Sequence, residues 1–127
     1  VSGLSQARTT VAKGKTAEDR AVALLVERGY EIVARNVRRA GGEIDIVAHD
    51  GETLCFVEVR SRQSTRFGSP ASTVDARKQA RIARAASAVL ASYPAPQPRC
   101  RFDVVSIVGE GEESVIDIVQ AAFTVRT

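Results

Sequence analysis

The chain has 127 residues, 44% of them apolar and 26% charged, with a formal net charge of +3. That length holds one domain able to bury most of its unfolded surface without staples, and the two cysteines carry neither a disulfide framework nor a metal-ligand spacing. No apolar run reaches membrane-span length and the N-terminal residues lack the apolar core of a secretory signal, so a cytoplasmic domain with no membrane partner is expected, with Cys55 and Cys100 as small buried apolar residues.

Residues 1–13 are small and polar without period and are expected to form a mobile arm, leaving 14–127 as a single domain. A helix starts near Thr16, which caps the first turn with Asp19 three residues on. Ala17, Ala21, Leu24 and Leu25 share one face, and Gly29 ends the helix. Glu18 falls at the margin of that apolar face. It either favours the positive end of the helix dipole or serves a site beside the helix.

Residues 30–36 alternate as a strand, and the Arg-rich stretch that follows, with Arg38 and Arg39, turns the chain back at Gly41-Gly42. A hairpin comes next. Its first strand reads Gly42-Glu43-Ile44-Asp45-Ile46-Val47-Ala48, its turn contains Asp50-Gly51, and its second strand reads Thr53-Leu54-Cys55-Phe56-Val57-Glu58-Val59-Arg60-Ser61-Arg62. Each strand holds an acid inside an apolar pattern, Asp45 and Glu58. A carboxylate there costs free energy unless it is paired, hydrogen-bonded or bound to a metal. The pleat puts Glu43, Asp45 and Val47 on one side of the first strand, and Leu54, Phe56, Glu58 and Arg60 on one side of the second. One reading is a two-carboxylate, one-cation constellation whose hard oxygens suit Mg²⁺ or Mn²⁺. The other is an exposed hairpin face with cross-strand charge pairs. His49, alone at the turn, reads as a solvated residue.

Residues 61–69 form a polar loop with Arg62 and Arg66, of the kind often functional beside a site. Ser69-Pro70 offers a helix start, but the stronger helical period begins near Val74. Between Ala76 and Ser92 it puts Ile82, Ala85, Ala86, Val89 and Leu90 on one stripe, with Arg77, Lys78, Arg81 and Arg84 on or near the other side. Residues 60–84 hold seven cations against the single acid Asp75, a net of +6 that points to a polyanion partner. A solvated basic face is the alternative. Pro94, Pro96 and Pro98 stiffen a connector to a strand over residues 101–108, whose Asp103 is expected either at an exposed strand position or with an arginine partner. A turn at 109–113 leads to a last strand over 115–119, with Ala121, Ala122 and Phe123 docking a terminal turn. The order α-β-β-β-α-β-β describes an α/β fold with a mixed sheet flanked by helices.

Glu18, Gly42-Glu43-Ile44-Asp45-Ile46, Phe56-Val57-Glu58-Val59-Arg60-Ser61-Arg62, Phe67-Gly68-Ser69-Pro70, Val74-Asp75 with Lys78, and Arg101-Phe102-Asp103-Val104 together closely resemble the bacterial YraN family. That family resembles the PD-(D/E)xK nucleases, and among them the archaeal Holliday-junction resolvases. The resemblance implies a restriction-endonuclease-like sheet and a metal-dependent endonuclease acting on DNA, structured or branched. Asp45, Glu58 and Glu18 would hold Mg²⁺ or Mn²⁺, with the carbonyl of Val59 as a further ligand. It also implies a homodimer, since a junction has two-fold character. The position where that superfamily carries lysine holds Arg60, which keeps its proton but still stabilises charge on a phosphate. Lys78 is then the candidate lysine. Arg38, Arg39, Arg62, Arg66, Arg77, Lys78 and Arg81 are the expected nucleic-acid contacts. The alternative is a nucleic-acid-binding module that keeps the fold without the chemistry.

Overall fold

The computed structural model describes residues 16–64, 66, 68 and 73–125. The expected arm at 1–13 and the Ser69-Pro70 helix start lie outside them. Helix α1 spans Ala17–Glu27 and opens on the capping box read from the sequence. The Asp19 amide donates to Thr16 Oγ1 at 3.1 Å and the Thr16 amide donates to Asp19 Oδ2 at 3.3 Å. The helix closes through Gly29, whose amide reaches Val26 O while the Tyr30 amide reaches Leu25 O. This is the paired Schellman closure that a left-handed C′ residue permits, and Gly29 has φ 89°.

Strand β1 (Glu31–Arg39) pairs antiparallel with β2 (Gly42–Asp50), and β2 pairs antiparallel with β3 (Thr53–Arg62). β1 runs further than the alternation of residues 30–36 implied. The turn is correspondingly tighter: Arg39 pairs with Gly42 across Ala40 and Gly41 alone, both left-handed at φ 53° and 76°. Two consecutive positive-φ residues match the twist of a hairpin. The turn is therefore Ala40-Gly41, not Gly41-Gly42, and Gly42 is glycine for another reason. A Cβ built there would lie 1.9 Å from the carbonyl oxygen of Arg81, so β2 begins in backbone contact with the helix above it.

That helix, α2 (Ala76–Ala91), carries the chain from β3 over the sheet to β4 (Cys100–Val108), which runs parallel to β3. Asp75 caps it by accepting the Lys78 amide at 2.9 Å. β5 (Val115–Phe123) pairs antiparallel with β4 and completes a five-stranded sheet in the order β1-β2-β3-β4-β5. The expected terminal turn at 121–123 is instead strand. Ala121, at φ 50°, bulges so that its amide can donate to Asp103 Oδ1 at 2.9 Å, and Phe123 goes on to stack on Phe102.

One helix covers each face. Ala21 and Leu25 of α1 pack with Ile46, Ala48, Cys55, Val57, Val105 and Ile107. Ile82, Ala85, Ala86 and Val89 of α2 pack with Val47, Leu54, Phe56, Phe102 and Val104. Alternation along β3 assigns Glu58 to the α2 face with Leu54 and Phe56. Cys55 is buried as expected, and burial pushes its thiol up to about 12. Cys100 is exposed, because it opens β4 before the strand enters the core. His49 lies within β2 rather than in the turn, edge-on to the Tyr93 ring. Among the described residues no helix is long and apolar enough to cross a membrane.

Candidate active site

The register that sets Ile46 opposite Val57 brings Asp45, one step on, level with Glu58. Asp45 Oδ2 accepts the Val59 amide at 2.8 Å, which ties the first acid to the strand carrying the second. Glu58 is 3% exposed. Its Oε1 is buried with no hydrogen-bond partner, the one such side-chain atom among the described residues. Burial, then the neighbouring Asp45 carboxylate, push the Glu58 carboxyl up to about 7, against the pull of the Lys78 ammonium. A buried acceptor left unsatisfied costs on the order of 1–3 kcal/mol, a cost that a retained proton relieves and that a bound cation would relieve in the ionised form.

Lys78, in the first turn of α2, is the nearest cation. Its Nζ lies 3.2 Å from Glu58 Oε2 and 3.7 Å from Glu43 Oε1. Arg60 shares the strand with Glu58, yet its Nη1 stands 3.9 Å from Oε2, beyond hydrogen-bond reach. Its guanidinium is held elsewhere: Nε donates to Thr73 Oγ1 at 2.9 Å and Nη2 to the Thr73 carbonyl at 3.2 Å. Thr73, in the segment leading into α2, thus takes up the arginine while the helix brings in the lysine.

Glu18 stands apart from this pair. Its Oε1 accepts Arg35 Nε at 2.8 Å and Asn36 Nδ2 at 3.1 Å, and Arg35 also donates to Asp19 at 2.6 Å. These bonds clasp α1 to β1. Asn36, left-handed at φ 53°, lies between the paired Arg35–Ile46 and Val37–Ile44, hence level with Asp45. Asn36, one of the groups that hold Glu18, therefore shares a register row with Asp45 and Glu58, while Glu18 itself belongs to α1. Among the described residues no three His, Cys, Asp or Glu side chains gather closely enough to form a metal-ligating group. Val59, expected as a ligand through its carbonyl, pairs with Val105 in the parallel ladder.

Glu43 was not singled out as a site residue by its sequence position, though the pleat puts it on the side of Asp45. Three cations share it: Lys78 at 3.7 Å, Arg38 at 3.6 Å and Arg81 at 3.9 Å. Arg38, Arg39, Ala40, Gly41, Gly42, Glu43 and Arg81 line a cavity of about 400 Å³ at the hairpin tip. Arg62, Arg66 and Arg77 are exposed: Arg62 ends β3, Arg66 lies beyond it, and Arg77 is in the first turn of α2.

Of the two expectations for Asp103, the arginine partner holds and the exposed strand position does not. Asp103 is fully buried, and Arg101 meets it with both Nε at 2.8 Å and Nη2 at 2.9 Å. The Tyr30 hydroxyl donates to Asp103 Oδ2 at 3.2 Å, and Arg101 reaches on to Asp50 at 2.9 Å. Every arm of this network is satisfied within the fold, so it holds structure rather than a ligand.

The chain matches the family profile of "uncharacterised protein family UPF0102" over residues 17–107. A UPF0102 protein of Chlorobium phaeobacteroides is 50% identical over 95 residues, covering 75% of each chain. One from Moorella thermoacetica is 43% identical over 113 residues, covering 87% of this chain and 94% of the relative. One from Methylibium petroleiphilum is 50% identical over 109 residues, covering 80% and 88%. The matched span contains Glu18, Asp45, Glu58, Arg60 and Lys78.

Proposed function

The chain belongs to the UPF0102 family, and we propose that it is a metal-dependent phosphodiesterase acting on nucleic acid, with Asp45 and Glu58 as the carboxylates that hold Mg²⁺ or Mn²⁺. The observation that carries this is the buried, unpartnered Oε1 of Glu58 beside the Asp45 carboxylate. Two hard oxygen donors, one without any protein partner, fit a small divalent cation that keeps several waters. A bound ion of this kind stabilises charge on a phosphoryl group and activates a water for attack.

The protein residues have separable tasks. The Val59 amide fixes the Asp45 carboxylate, so the two acids present their remaining oxygens as one unit. Lys78, at 3.2 Å, offsets the charge of the pair and sits where a phosphate oxygen would arrive. Arg60, anchored on Thr73, stabilises negative charge on the phosphate from the side. Glu18, held by Arg35 and Asn36, lies outside this pair and fixes α1 against β1 beside it. The exposed cations Arg62, Arg66 and Arg77 hold the strand beyond the site.

The test is cleavage of supercoiled plasmid, single-stranded DNA and a synthetic four-way junction, in Mg²⁺ and separately in Mn²⁺. Losing the Asp45 carboxylate removes several kcal/mol of charge stabilisation, so Asp45→Ala should lower the rate about 10²-fold or more. Full activity in that variant rules the site out. A second reading has its own observation: Arg60 is turned to Thr73. On that reading the fold binds nucleic acid without cutting it. Salt-sensitive binding that persists in EDTA, with no cleavage by the wild type or by Arg60→Lys, would select it.

A further inference from the structure

The cations at the hairpin tip outnumber the acid they share. Arg38, Arg81 and Lys78 approach Glu43 at 3.6, 3.9 and 3.7 Å, each longer than a hydrogen bond, so no one of them is committed to it. Among the described residues no carboxylate pairs with Arg39, which lines the same cavity. The floor of that cavity is closely packed. Gly42 rests on the backbone of Arg81, so the helix residue carrying one arginine lies against the start of β2, whose hairpin partner β1 carries the other two at its end. No aromatic ring lines it, and the glycines leave backbone rather than side chain facing the space. Such a lining offers charge and room but no platform on which a base could stack.

Lys78 joins this cavity to the acid pair, touching Glu43 on one side and Glu58 on the other. The two places are thus bridged by one side chain, close enough for one strand to reach both.

We propose that the cradle of Arg38, Arg39 and Arg81 is a second phosphate subsite, so that the ligand is a nucleic-acid strand gripped at two nearby phosphates without regard to its bases. The assignment of the first phosphate rests on the phosphodiesterase reading; the cradle stands on its own geometry. Guanidinium forks suit the tetrahedral phosphate, and the lining selects for backbone rather than sequence.

The experiment is fluorescence anisotropy of a labelled single-stranded oligonucleotide with the full chain in EDTA, over a range of salt. Mononucleotide and poly-glutamate serve as competitors. The triple variant Arg38→Ala/Arg39→Ala/Arg81→Ala should bind roughly tenfold or more weakly and lose about 1 from the slope of log affinity against log salt, the mark of one phosphate contact. Placing one uncharged methylphosphonate linkage at successive positions should weaken wild-type binding at two neighbouring linkages. One of those penalties should vanish in the variant. Arg39→Ala alone alters only an exposed turn-flanking side chain and gives the same signature at smaller amplitude if the triple variant does not fold. A slope equal to the wild type overturns the proposal. So do an unchanged linkage scan, salt-insensitive wild-type binding, and poly-glutamate competing as well as DNA. Asp45→Ala separates the two readings, since it should abolish cleavage and keep the slope. A wild type that binds with this slope but never cleaves leaves the cradle standing and removes the phosphodiesterase.

Discussion

The ammonium of Lys78 lies 3.2 Å from the buried carboxylate of Glu58, whereas Arg60, two residues along the same strand, stops at 3.9 Å and turns to Thr73. The close cation therefore comes from the helix twenty positions later and not from the strand. Removing each should have unequal effects. Lys78→Met is expected to lower single-turnover cleavage about 10²-fold, while Arg60→Ala lowers it about tenfold or less. Rates at saturating DNA, compared with anisotropy for binding, check this; equal losses would mean that Arg60 contributes as much as Lys78.

Glu58 also makes stability depend on pH. Its carboxyl ordinarily titrates at 4.5 and is held up to about 7 in the fold. Between those values the folded chain keeps a proton the unfolded chain has released, so stability is full below about 4.5 and falls as pH rises to about 7. In EDTA the wild type should lose about 1–3 kcal/mol across that window through this group. Glu58→Gln should remove the slope and unfold at higher urea than the wild type at pH 8. Urea midpoints at pH 5 and pH 8 decide it.

Gly42→Ala should be among the most damaging single-methyl changes available. The new Cβ would lie 1.9 Å from the Arg81 carbonyl oxygen, so strand or helix must move. Overpacking of this kind costs about 1–3 kcal/mol. Gly41→Ala meets only open space and should cost about 1 kcal/mol or less, from its φ of 76°. Thermal unfolding of the pair separates close approach from backbone conformation.

Asp103 should behave as a pillar and not as a catalyst. Replacing it by Ala strands Arg101 and the Ala121 amide at a fully buried position, a change that costs about 3–5 kcal/mol. Whatever fraction remains folded should bind DNA with the wild-type salt slope. A lost slope in well-folded protein would place Asp103 in the binding machinery.

Much of this was legible in the chain itself, and what escaped shares a cause. The Thr16–Asp19 box, the hairpin and the crossover helix follow from short-range rules, whereas the meeting of Asp45 with Glu58 is one of two readings the pleat leaves open and the register decides it. Gly41-Gly42 looks like turn chemistry and draws the turn one residue late, while only contact with a helix far along the chain explains Gly42. The last strand was cut short at 119 because Ala121 has no local reason to adopt φ 50°; the reason is Asp103 on the neighbouring strand. The diversion of Arg60 to Thr73 and the pairing of Glu18 with Arg35 and Asn36 likewise depend on tertiary partners that no period encodes.

The crossover from β3 through α2 to β4 also sets a timetable. The hairpin that holds both acids is local and needs only neighbouring residues, whereas parallel pairing must wait for a long loop to close. Until α2 settles onto Gly42, the acids have no lysine and the arginines no common floor. A half-made chain therefore carries the ingredients of the site without the site. The proposed site is complete only once that helix has docked.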